Sequence, residues 1–122
     1  MYEKLDAPEN VWAIRLSGDL DRADIDAIYA DLDGLLKSQR SIGAVVDFEG
    51  FNDASRDAVT ADIRHELGLL GNLMQFRRLA VLTDKTWLGY IFERLDPIVP
   101  TLDIRIFPFG SAPEAIDWAA DI

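Results

Sequence analysis

Apolar and polar positions along the chain change their period several times, and each change marks an element. Val11 to Leu16 alternates, with Trp12, Ile14 and Leu16 on one face, which predicts a strand. The mixed segment Met1 to Leu5 precedes it across the turn formers Asp6-Ala7-Pro8-Glu9-Asn10, so two antiparallel strands joined by that turn fit the pattern. After Ser17-Gly18 the period lengthens: Ile25, Ile28, Leu32 and Leu35 or Leu36 recur at three- or four-residue intervals, the signature of an amphipathic helix. Acids crowd its first turns, where the positive end of the macrodipole favours them, and Lys37 and Arg40 stand near its end. Ile42 to Phe48 follows with Ala44, Val45 and Val46 and no polar face before Asp47. A run of this kind reads as a central strand buried on both faces, and open α/β sheets place their sites at the carboxyl ends of such strands.

Val59, Ile63, Leu67, Leu70 and Met74 predict a second helix beginning at Asp53 or Ala54, with Gly71-Asn72 able to end it. Leu79 to Leu82 is a second apolar strand, closing on Thr83-Asp84. Those two residues can cap a third helix through Trp87, Leu88, Ile91, Phe92 and Leu95, which Pro97 stops. Leu102, Ile104 and Ile106 alternate with Asp103 and Arg105, as an edge strand with one face covered would. Ser111 is the expected cap of a last helix, with Pro113 in its first turn and Ala115, Ile116, Trp118 and Ala119 available for packing. The order β-β-α-β-α-β-α-β-α implies an α/β fold with a single mixed, mostly parallel sheet of about five strands.

Composition narrows the function classes. At 122 residues the chain reads as one domain, 1 to 122, with enough core to fold unaided. Cysteine is absent, which removes thiol and disulfide chemistry. Neither a charged-then-apolar leader nor a long apolar run is seen, so a cytoplasmic address is the default expectation. The net charge of −10 is uneven, with 14 acids against 6 bases in residues 1 to 62 and 8 against 6 in residues 63 to 122. Phosphate backbones would be repelled, so nucleic acid is not an expected partner.

Leu16-Ser17-Gly18-Asp19-Leu20-Asp21, a helix, Val45-Val46-Asp47-Phe48-Glu49-Gly50 and then Phe51-Asn52-Asp53-Ala54-Ser55 together resemble the STAS domain, the fold of bacterial anti-sigma-factor antagonists. In regulatory members the loop after the central strand reads roughly Asp-Ser-Ser-Gly or Asp-Ser-Thr-Gly, and a partner kinase phosphorylates a hydroxyl there. Here Asp53-Ala54-Ser55-Arg56 stands instead. The resemblance therefore implies a partner loop at Asp53, Ser55 and Arg56, while Ala54 and Arg56 depart from the phospho-switch. The second half is similar to the small SpoIIAA-like bacterial proteins, through Phe76-Arg77-Arg78-Leu79-Ala80-Val81-Leu82, Asp84, Trp87, Phe107 and Ala115-Ile116-Asp117-Trp118.

That branch is also likened to the CRAL-TRIO lipid-carrying fold, which implies a nonpolar ligand or transient membrane contact through the second and third predicted helices. The residues agree, since Gly68 to Met74 and Trp87 to Phe92 carry more apolar side chains than one buried stripe needs. Leu70, Leu73, Met74, Trp87, Tyr90, Ile91 and Phe92 are the candidate contacts. Gly68 and Gly71 ease local opening, each costing a helix about 1 kcal/mol relative to alanine. The plainer reading packs these residues against the sheet, or against a second copy in a homodimer. Membrane contact would place the chain at the periphery of the inner membrane, although Arg77 and Arg78 are a small basic cluster for anionic lipid.

Catalytic and metal readings are weak. His65 is the sole histidine, near Asp62, Arg64 and Glu66, and neither a nucleophile elbow nor a cysteine accompanies it. Asp19, Asp21, Asp24 and Asp26 miss the calcium-loop pattern at Ala23, Asp24 and Ala30, so they read as an acidic helix face. Asp47 and Asp84, with Thr83 and Lys85, could in principle hold magnesium beside a phosphoryl acceptor. Helix capping by Asp84 and loop bonding by Asp47 account for them more simply. The expectation is a non-enzymatic binding module without catalytic residues, metal or cofactor, taking up an apolar ligand or, as the alternative, a protein partner.

Overall fold

The computed structural model describes residues 2–18, 21–50, 75–84 and 102–122. Five strands, β1 (Tyr2–Lys4), β2 (Val11–Leu16), β3 (Ile42–Asp47), β4 (Phe76–Leu82) and β5 (Asp103–Phe107), form one sheet in the order β1-β2-β3-β4-β5. β1 runs antiparallel to β2, and the other three pairings are parallel. Two described helices, α1 (Arg22–Ser38) and α2 (Ala112–Ala120), complete the α/β architecture. The second and third predicted helices lie outside the described residues.

The register lines up one apolar row across four strands, Ile14, Val46, Val81 and Ile106. Ile14, Leu16, Ala44, Val46, Leu79 and Val81 share a core with Leu32 and Leu36 of α1. Val11, Ala13, Val45, Ala80 and Leu82 face the other way, onto Ala115 and Ala119 of α2. All six residues of β3 are buried, as its unbroken apolar run predicts. β2 departs from the one-faced strand expected of it, because Val11 and Ala13 on its other face are also buried, beneath α2. The shortness of Ala13 and Val11 had disguised a second apolar face.

Helix ends explain the rest of the packing. Asp21 caps α1 through a reciprocal pair: its carboxylate accepts the Asp24 N–H at 2.8 Å and the Asp24 carboxylate accepts the Asp21 N–H at 3.3 Å. At the other end Gln75 Nε2 donates to the carbonyls of Leu36 and Gln39 at 2.9 and 2.7 Å. α2 starts at the expected place, with Pro113 in its first turn, but the Ser111 side chain makes no capping bond. Pro113 removes one of the two first-turn N–H groups such a cap can address, and its fixed φ already suits helix entry. The carbonyls at the end of α2 are met by Asn10 Nδ2 on Ala120 at 3.2 Å and Arg78 Nη1 on Trp118 at 2.7 Å.

Gly43 permits this helix to sit close. A Cβ placed there would lie 2.1 Å from the Ala119 carbonyl oxygen, so β3 and α2 touch through main chain where any side chain would intrude. β5 also differs from the one-face-covered expectation: Ile106 remains 36% exposed, whereas Phe107 on the opposite face is half-buried against the α2 core.

Candidate functional site

The carboxyl end of the sheet is where β3 and β4 release the chain towards the sequence segments that hold the predicted contacts. Arg15 and Asp47 are register partners on adjacent parallel strands, on the side of the sheet that α2 covers. Asp47 is 1% exposed. Its Oδ2 accepts from Arg15 Nε at 3.2 Å and its Oδ1 accepts the Glu49 N–H at 3.0 Å. Both oxygens are therefore met inside the protein, as a buried carboxylate requires. Arg15 also approaches Glu3 at 3.8 Å, but that contact is exposed and weak.

The loops beyond the strands are joined to each other by main chain. Gly18 N–H donates to the Gly50 carbonyl at 2.8 Å, Phe48 N–H to Leu82 at 3.0 Å, and Thr83 N–H to Phe107 at 3.1 Å. Gly50 holds φ at 83° and Gly18 at 62°, a region glycine enters without steric cost. Adding a Cβ at Gly50 would place it 3.5 Å from the Ser17 Cβ, so its conformation rather than its space demands glycine. The result is a fixed rim, in which the exits of β2, β3 and β4 each hand a main-chain bond to the carboxyl end of the next strand.

Asp47 serves its predicted loop-bonding role through the Glu49 N–H. Thr83 is buried and Asp84 exposed, so the two acids that end the central strands occupy unlike environments. Lys85 lies outside the described residues. Among the described residues no group of three or more His, Asp or Glu could hold a metal ion. The acidic run is confirmed as helix surface where it is described: Asp21 caps α1, and Asp26 is exposed and pairs with Arg22 at 3.1 Å.

The ligand-contact candidates Leu70, Leu73, Met74, Trp87, Tyr90, Ile91 and Phe92 lie outside the described residues, as do the loop candidates Asp53, Ser55 and Arg56, and His65. Sequence reasoning did not single out Arg15. The signal was present: an arginine in an otherwise apolar strand, beside a buried strand ending in aspartate, needs a carboxylate neighbour. Arg78 enters the sequence reading as part of the Phe76 to Leu82 segment and as half of a basic pair, with no partner expected for it. Its guanidinium lies 5.0 Å over the Trp118 ring while donating to the carbonyl of the same residue, and Trp118 meets Phe107 at 5.9 Å with the rings tilted by 58°. Arg78 thus belongs to the α2 contact and is half-buried, whereas Arg77 is exposed.

No curated protein matches the chain. Among solved structures it is similar to an uncharacterised protein of the DUF3478 family from Shewanella loihica PV-4, which has a SpoIIAA-like fold. The two share 17% identity, with a TM-score of 0.59 over 98% of this chain and 92% of the other, and the likeness is one of fold. The SpoIIAA-like family model matches residues 11–120, which takes in the strands β2 to β5, both described helices and the carboxyl rim; the chain belongs to the SpoIIAA-like family.

Proposed function

We propose that this protein acts by binding, and that its ligand is nonpolar, a lipid-like molecule or a membrane surface met through Leu70, Leu73, Met74, Trp87, Tyr90, Ile91 and Phe92. The observation that carries the binding role is Asp47. The single fully buried carboxylate among the described residues is held on both oxygens by Arg15 and the Glu49 N–H, leaving it as structure beneath the loops. A rim tied by main-chain bonds suits a frame from which flanking segments contact a ligand. The apolar surplus of 68–74 and 87–92 supports the nonpolar class. Native mass spectrometry and solvent extraction of the purified protein test this reading. Recovery of an apolar species, or partition onto neutral-lipid vesicles, is the expected outcome; neither one, at any salt concentration, would overturn it.

A second reading is a protein-interaction regulator of the anti-sigma-factor-antagonist type, acting through Asp53, Ser55 and Arg56. The exposed acidic side of α1, with Asp26 and Asp33 exposed and Asp24 half-exposed, favours it because a basic partner surface would be attracted there. Pull-downs comparing the natural chain with Ser55→Ala separate a switch loop from a bystander: an unchanged partner set removes Ser55 from the reading.

A further inference from the structure

β5 is the last strand of the sheet among the described residues, and its outer edge carries a pattern that reads the same from either of two copies. Thr83 N–H donates to the Phe107 carbonyl, so the main chain of Phe107 faces β4. Strand alternation turns Arg105 and Asp103 the same way and points the N–H and C=O groups of Ile104 and Ile106 outward. Asp103, Arg105 and Ile106 are exposed. Neither Asp103 nor Arg105 has an ion pair among the described residues; the Arg105 guanidinium rests 5.3 Å over the Phe107 ring, which leaves its N–H edges open to a carboxylate.

The geometry points to a weak two-fold dimer in which β5 pairs antiparallel with β5 of a second copy, centred on Ile104. In that register the outward N–H and C=O groups of Ile104 are exchanged with those of the partner's Ile104. Asp103 falls opposite the partner's Arg105, and Arg105 opposite the partner's Asp103. These are the closer, non-hydrogen-bonded pairs of an antiparallel ladder, where opposite charges stabilise and like charges oppose. Ile106, the exposed apolar residue of the strand, lies opposite the partner's Leu102. Shifting the centre to Ile106 would place Arg105 opposite Phe107 and Ile104 opposite Pro108, which has no N–H to donate. Self-complementary charge thus selects both the occupant, a second copy, and the register. The ladder is short and each copy carries a net charge of −10, so the association is weak and concentration-dependent.

This surface includes none of the residues named for the proposed ligand contact, and its test does not depend on them. Sedimentation velocity from about 10 µM to about 1 mM should show a monomer–dimer equilibrium. Arg105→Asp should weaken it by about tenfold or more, and the exchange Asp103→Arg with Arg105→Asp should restore it, since both cross-strand pairs are rebuilt with reversed polarity. Amide exchange at Ile104 and Ile106 should slow as concentration rises. Circular dichroism of each variant shows that the fold persists. A monomer throughout the range, a dimer indifferent to Arg105→Asp, or a double exchange no stronger than the single change would each overturn the proposal.

Discussion

The two ends of the sheet are held by different means. At the amino end, side chains reach helix termini: Gln75 meets the last carbonyls of α1, and Asn10 and Arg78 meet those of α2. Helix and strand there approach so closely that Gly43 and Ala119 touch through main chain. At the carboxyl end, the strand exits are linked by backbone bonds, and β2 is tied to β3 by the part-buried ion pair of Arg15 with Asp47. The first arrangement is governed by shape and tolerates no added atom. The second is governed by pairing, and removing one partner leaves another group unmet. The proposed binding role draws on both, a rigid base and exits whose direction is fixed.

The largest effect should come from adding matter at the amino end. Gly43→Ala puts a methyl group 2.1 Å from the Ala119 carbonyl oxygen, and neither main chain can move without disturbing the core. A loss of about 3 kcal/mol in urea unfolding is expected. A loss below about 0.5 kcal/mol would mean that α2 is free to lift off, and the contrast between a shape-governed and a pairing-governed end would fail.

Next comes Asp47→Ala at the carboxyl end. It leaves the Glu49 N–H and the Arg15 guanidinium without their acceptor, and because Arg15 is 34% exposed water recovers part of the loss. About 2 kcal/mol is expected, with Asp47→Asn losing less because the loop bond to Glu49 survives. Equal losses for alanine and asparagine, measured by the same unfolding curves, would show that only the charge matters. Arg78→Ala should follow at about 1.5 kcal/mol, through the lost bond to Trp118 and the lost stacking. Arg78→Lys should fail to rescue the stacking, because an ammonium cannot lie flat on the ring while donating to its carbonyl. The α1 cap is smaller again, with Asp21→Ala expected to cost about 1 kcal/mol.

Much of this comparison was legible in the sequence, and the reason is period. The unbroken run of β3, the helical stripe ending at Leu36 and Pro113 at the start of α2 each repeat a physical rule over several residues. What was not legible depends on which residues meet across the fold. Val11 and Ala13 gave no sign that a helix would cover them, since that follows from strand order. Arg15 opposite Asp47 needed the parallel register of β2 and β3. Arg78 on Trp118 joins residues 40 apart in sequence, a distance no local pattern encodes. The ligand and partner residues rested on apolar surplus and on resemblance, which name a segment but no geometry.

The smallest effect tests an edge contact that belongs to neither end. Tyr2 on β1 donates its hydroxyl to the Asp31 carboxylate of α1, tying the outer strand to the helix across the sheet. Burial, then the bond to Asp31, then the charge of that carboxylate push the phenol well above its ordinary value of 10.0, against a smaller opposing pull from Trp12. The folded state holds this proton more tightly than the unfolded state does. Its contribution is therefore complete below the ordinary tyrosine value and is lost as pH climbs from there towards the folded value. Tyr2→Phe should cost under about 1 kcal/mol at neutral pH, and the gap between natural chain and variant should narrow as pH rises beyond the ordinary tyrosine range. Thermal unfolding of both chains across that range measures the gap directly. A constant gap would mean that the hydroxyl holds its proton no better folded than unfolded, and that β1 is fixed to the sheet by its ladder with β2 alone.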